Sequence, residues 1–140
     1  MKAVGHNETE IIDEQNKETQ DKETLEIVGS VFRLLDEKKA ENILVLDISS
    51  LTHMTDYFII ADVASQMQID SLRSHIVDML SARGIFARNA VNQIQESWAL
   101  LDYNGFVIHI FLSEVRAFYG LERIWHEGKT ICGLDSQSSL

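Results

Sequence analysis

The chain has a single cysteine, Cys132. One thiol cannot build an internal disulfide framework, which excludes the stapled secreted scaffolds and suits a reducing compartment. No apolar run approaches the ~20 residues of a membrane-spanning helix. After Met1-Lys2 the chain turns polar and acidic rather than apolar, so no signal-peptide pattern opens it. Basic residues are scarce: 12 Lys and Arg stand against 22 Asp and Glu, a formal net charge of -10. Phosphate binding draws most of its affinity from Lys and Arg. The balance therefore argues against direct DNA binding and against naked RNA as the main partner. An acidic protein can still approach a nucleoprotein particle by docking on a basic protein. The expected location is cytoplasmic.

A length of 140 residues suits one domain with a real core. Residues 1–21 carry Glu8, Glu10, Asp13, Glu14, Glu18 and Asp21 with few apolar groups, and read as a disordered or loosely helical tail. From Thr24 the pattern is helical: Leu25, Val28, Phe32 and Leu35 recur on one stripe, widened by Ile27, Val31 and Leu34, to an end near Ala40. Residues 42–48 and 57–61 are apolar runs of strand length, expected to be buried on both faces. Between them lies a polar connector. Ser65 with Gln68 predicts a capping box for a second helix with Ile69, Leu72, Ile76, Val77 and Leu80 inward and Gly84 as its stop. A short strand is possible at residues 85–87. Ser113 can cap a short third helix in which Val115, Phe118 and Tyr119 share a face. Leu121, Ile124 and Trp125 add a last apolar turn, and residues 127–140 read as a flexible tail. The domain proper spans 22–126. Its expected fold class is α/β, a single domain with a mixed β-sheet covered by helices and a central antiparallel hairpin.

That hairpin is the strongest local signal. Two runs of strand-forming residues flank Asn104-Gly105, which predicts a two-residue turn of the primed type. The register follows: Tyr103 faces Phe106, Leu101 faces Ile108 and Ala99 faces Ile110 on one side. Asp102 faces Val107, Leu100 faces His109 and Trp98 faces Phe111 on the other. The first face is apolar apart from the Tyr103 hydroxyl, so its burial specifies the register. The second face mixes aromatic groups with a carboxylate and an imidazole.

Four motifs, in order, resemble the ribosomal silencing factor family (RsfS, Iojap-related). They are Leu46-Asp47-Ile48-Ser49-Ser50-Leu51 with Thr55-Asp56-Tyr57-Phe58-Ile59-Ile60; the two hairpin strands; Glu114-Val115-Arg116-Ala117-Phe118-Tyr119; and Leu121-Glu122-Arg123-Ile124-Trp125. The resemblance runs from about Leu25 to Trp125. It implies a nucleotidyltransferase-like fold without its catalysis. It also implies binding to the large ribosomal subunit through ribosomal protein L-fourteen, steric blocking of small-subunit joining, and repression of translation when nutrients are scarce. Two departures stand out. Ala61-Asp62-Val63-Ala64-Ser65 replaces the family's Ser-Gly-Thr-Ser kind of turn, and Met67-Gln68 stand where a basic residue is common.

The candidate partner-binding residues are Trp98, Leu100, Asp102, His109 and Phe111 on the hairpin's mixed face. Tyr103 is added as a residue that could project from the hairpin end, and Arg116 and Glu122 at the rim. Aromatic anchors with a few orienting polar groups are the composition of a docking surface. The plain alternative is that a helix covers this face and satisfies Asp102 and His109 internally. Arg116, Glu122 and Arg123 equally read as surface ion pairs worth ~0–1 kcal/mol each. Asp102 and His109 lie diagonally across two strands, but a catalytic pair needs a nucleophile or electrophile beside it, and none is identifiable. Asp47 reads as a cap of its own connector. His53, His75, His109, His126 and Cys132 have no recognised ligand spacing, so no metal or other cofactor is expected. The alternative functions are a homodimeric adaptor pairing through the hairpin face, or an enzyme on a nucleotidyltransferase-like scaffold.

Overall fold

A computed structural model describes residues 2–89, 93–95, 97–119 and 128–132. The elements in chain order are α1 (Lys2–Glu37), β1 (Glu41–Asp47), β2 (Tyr57–Val63), α2 (Gln66–Ser81), β3 (Gln93–Gln95), β4 (Trp98–Tyr103), β5 (Phe106–Leu112), α3 (Ser113–Tyr119) and β6 (Lys129–Cys132). The strands form one mixed sheet in the order β3-β4-β5-β2-β1-β6. All neighbours are antiparallel except β2 and β5, which run parallel with Ile60 opposite His109. Parallel neighbours need a long crossover, here the passage through α2, β3 and β4.

One face of the sheet packs against α1 and α2. Val28, Val31 and Leu35 from α1, and Ile69, Leu72, Ile76 and Leu80 from α2, meet Ile59, Ala61, Leu101, Ile108 and Ile110. The α1 stripe holds except at Leu25, which is exposed. Val77 packs at the margin of this core. The other face carries a smaller cluster of Leu44, Leu46, Ile48, Phe58, Ile60 and Phe111, bordered by Leu51, Trp98, Val107 and Val115. Residues 43–46 are thus buried on both sides, as continuous hydrophobicity predicts.

Local chemistry explains the element ends. The Ser65 side chain accepts the amide of Gln68, but Gln68 Oε1 reaches the amide of Ala64 at 2.9 Å, one residue upstream of a strict capping box. Gly84, at φ 78°, ends α2 in a Schellman arrangement: its amide bonds Ser81 O, and the Ile85 amide bonds Leu80 O. Lys39, at φ 66°, does the same for α1 through Lys39 N to Asp36 O and Ala40 N to Leu35 O.

Several expectations need correction. The acidic segment, read as a disordered or loosely helical tail, is helical and runs into α1 without a break, since extending a packed helix costs far less than nucleating one. Residues 85–87 are not a strand; the extra strand is β3, at the free edge of β4. The tail from residue 127 contains β6, which pairs with β1 and satisfies that strand's outer edge. Ser113 Oγ donates to Val63 O at 3.1 Å, tying α3 to the end of β2. The side chains of Phe118 and Tyr119, and all of Glu122, Leu121, Arg123, Ile124 and Trp125, lie outside what is described.

The hairpin register is the expected one, but its turn is not of a primed type. Only Gly105 has positive φ (91°), and Asn104 does not. Both primed types require positive φ at the first turn residue. The reason lies across the sheet: the Gly105 carbonyl accepts the amides of Asp56 and Tyr57 at 3.1 and 3.2 Å. A Cβ at Gly105 would also sit 3.1 Å from Thr24 Cγ2. The turn is shaped to receive β2 and α1.

Arg116 is also corrected. It is not a surface cation but is buried together with Asp62, the two joined at 2.9 Å. Arg116 Nη1 further donates to Asn42 O, and Asn42 Nδ2 donates to Asp62. The Asp62 that distinguishes this chain's turn is therefore the anchor of α3. Removing one member of a buried pair strands the other charge, typically at ~3–5 kcal/mol. Arg116→Ala should lower unfolding stability by about that much in urea titration, and an unchanged midpoint would refute the buried pair.

Candidate functional site

The hairpin's second face and the 49–56 connector form the site together. The connector closes on itself: Ile48 N bonds Asp56 O at 2.8 Å, and Leu51 N and Thr52 N bond Ile48 O. Asp47 Oδ1 accepts the Ser49 amide at 3.0 Å and the Ser49 hydroxyl at 2.6 Å, the local capping role expected of it. Leu51 then folds onto the second cluster. Between the connector and the hairpin lies a pocket of about 550 Å³. Residues 52–55 line one side, Leu100, Asp102, Val107 and His109 the other, with Phe58, Arg88 and Asn104 completing it.

Of the candidate residues, Leu100, Asp102 and His109 therefore meet at one pocket. Trp98 is half-buried beside them, its Nε1 donating to His109 Nδ1 at 3.2 Å. Phe111 is fully buried beneath Trp98, stacked at 5.1 Å between ring centroids. It supports the surface from below instead of forming part of it. Phe58 meets the His109 ring edge-on at 4.8 Å. Tyr103 does not belong to the site. Strand alternation puts it on the helix-covered face, 1% exposed and stacked on Phe106 at 5.0 Å. Arg116 is held by Asp62 under α3, and Glu122 lies outside the described residues.

His109 is the chemical centre. An indole N–H can only donate, so Nδ1 carries the lone pair and the neutral ring carries its proton on Nε2. Burial pushes its pKa down from 6.5 to about 4. His109 Nε2 has no hydrogen-bond partner among the described residues, and neither has the buried Thr55 Oγ1. Asp102 and His109 are not hydrogen-bonded as a catalytic pair would be, because Trp98 holds the imidazole instead. The plain reading, in which both polar groups are satisfied internally, holds for Nδ1 and fails for Nε2.

Sequence reading missed the connector's share of the site. Thr55 entered the sequence reading only as the first residue of a family motif, and neither it nor the exposed Met54 was placed at the site. Asn89 was missed as well. Its side chain accepts the Asp102 amide at 3.0 Å and donates to Leu100 O at 3.1 Å, pairing the outer edge of β4 beyond the residues that β3 meets. Among the described residues no group of acidic, histidine or cysteine side chains could hold a metal ion, and no helix is long and apolar enough to cross a membrane.

A buried imidazole that stays neutral in the fold makes stability depend on acid. The unfolded chain takes up a proton near pH 6.5, whereas the folded chain resists until about pH 4. The stabilisation is full above pH 6.5 and is lost as pH falls from there toward 4. Over that interval the loss is about 3 kcal/mol at ~1.4 kcal/mol per pH unit. Urea midpoints measured at pH 7 and pH 4.5 should fall more steeply in the wild type than in His109→Phe. Parallel curves would contradict a buried neutral ring.

A family model described as "Ribosomal silencing factor during starvation" matches residues 20–139. The chain is 32% identical over 90 residues to ribosomal silencing factor RsfS of Bacillus subtilis, covering 64% of this chain and 76% of that protein. It is 28% identical over 101 residues to the mouse protein named mitochondrial assembly of ribosomal large subunit protein 1, covering 70% of this chain and 44% of that one. A crystal structure from Chromobacterium violaceum superposes with a TM-score of 0.68 at 27% identity, covering 78% of this chain and 90% of the other. With the family model spanning the sheet, both core helices and the pocket, the chain belongs to the ribosomal silencing factor family.

Proposed function

We propose that this protein binds the large ribosomal subunit through ribosomal protein L-fourteen and, by occupying the surface that must meet the small subunit, blocks subunit joining and represses translation. The observation that carries this reading is the half-open aromatic and polar face of the hairpin in a chain of the silencing family. Trp98 and Leu100 supply apolar contact, and Asp102 and His109 supply orientation. The net charge of -10 suits a basic protein partner and disfavours exposed RNA, steering the encounter toward protein on a nucleoprotein surface. The mouse relative's name, which refers to large-subunit assembly, supports the choice of subunit. Steric occlusion needs no reaction; the surface has only to be held.

The test is a sucrose gradient of purified protein with salt-washed large and small subunits. Wild type should co-migrate with large subunits and reduce joined ribosomes. Truncating a central aromatic anchor costs ~2 kcal/mol or more, so Trp98→Ala should bind about 30-fold more weakly. Met67→Ala, at an exposed position on α2, should bind as wild type does. Wild type left at the top of the gradient with joining unchanged would overturn the function. A folded Trp98→Ala that still blocks joining would overturn the site.

A further inference from the structure

We infer that the pocket between the 49–56 connector and the hairpin receives an uncharged hydrogen-bond acceptor from the docked protein, an amide or peptide carbonyl oxygen, held by His109 Nε2–H and the Thr55 hydroxyl. This rests on the docking reading above and deepens it. Two buried polar groups line the same pocket, and both are unpartnered among the described residues. Buried donors without partners are rare in native proteins because they are costly to keep. Trp98 fixes the imidazole tautomer so that Nε2 carries the proton, and what is missing there is therefore an acceptor. Phe58 and Trp98 pack against the ring and hold it against rotation, so its orientation is set by the fold.

Charge selects among acceptors. The ionisable side chains lining the pocket are His53, Arg88 and Asp102 beside His109 itself. Arg88 and Asp102 offset one another, and the chain as a whole carries -10. A carboxylate would meet the field of an acidic protein, whereas a neutral carbonyl oxygen meets no such opposition and still accepts two hydrogen bonds. Met54, 84% exposed at the pocket's lip, gives the incoming segment an adaptable apolar contact. The geometry matches insertion of one side chain or one loop peptide from a protein surface.

Thr55→Val separates this role from a structural one, since it removes the hydroxyl and keeps the shape. Relieved of an unpartnered buried group, the variant should melt at or above the wild-type temperature. It should also bind salt-washed large subunits about tenfold more weakly in sedimentation assays, and Thr55→Ser should restore binding. Nitrogen-15 spectra of the His109 ring in the complex with purified ribosomal protein L-fourteen should show one protonated and one unprotonated nitrogen. Two protonated nitrogens would mean a carboxylate partner and overturn the neutral acceptor. A lowered melting temperature for Thr55→Val would mean an internal partner for the hydroxyl and overturn the pocket's role. Unchanged binding by folded Thr55→Val would do the same while leaving the docking surface standing. Wild type that fails to bind large subunits at all would overturn both.

Discussion

The parallel pairing of β2 with β5 is the constraint on which the rest depends. It joins two halves that are otherwise local: the α1-β1-β2 half and the hairpin half. Its register starts where the Gly105 carbonyl takes the amides of Asp56 and Tyr57. One residue of slip there would exchange the faces of β2, moving Phe58, Ile60 and Asp62 under the helices. Phe58 would leave the His109 ring and Asp62 would leave Arg116, so the aromatic cluster and the anchor of α3 would be lost together. The site's geometry is thus a consequence of one carbonyl's placement, which explains why the turn gives up a primed conformation to present it.

The two faces of the sheet serve different ends. The helix-covered face is apolar and closed, and carries the larger of the two hydrophobic clusters. The other is small and aromatic, mixed with polar groups, and covered by loop and short helix. Because the first core is sufficient, the second face can hold an imidazole with one unpaired nitrogen. Proteins keep such defects where function uses them.

Much of this was legible in residue patterns, for physical reasons that differ by element. The hairpin register was readable because side-chain alternation has period two and one face is apolar apart from the Tyr103 hydroxyl. The stop of α2 was readable because Gly84 tolerates positive φ. The site was readable only where its residues alternate on strands: Leu100, Asp102 and His109. Tyr103 misled because a residue next to the turn could project from the hairpin end despite its alternation, whereas it packs inward on Phe106. Arg116 misled because its partner, Asp62, is 54 residues away, and no local pattern announces an ion pair of that separation. Thr55 and Met54 could not be placed at the site because a connector's path over a sheet is decided by tertiary bonds, such as Ile48 N to Asp56 O, and not by periodicity.

Binding surfaces lose affinity when their anchors must first be ordered. Here the ordering is built in. Phe111 is buried and stacked under Trp98, the indole is bonded to His109, and the imidazole lies edge-on to Phe58. Each ring restricts the next, and the last of them is fixed in the sheet. Trp98 and the imidazole are thereby held in place by the fold itself. The buried members of the candidate set therefore matter to the rigidity of this face as much as the half-buried ones. Phe111 is fully buried, yet it sets how rigidly Trp98 and His109 are held.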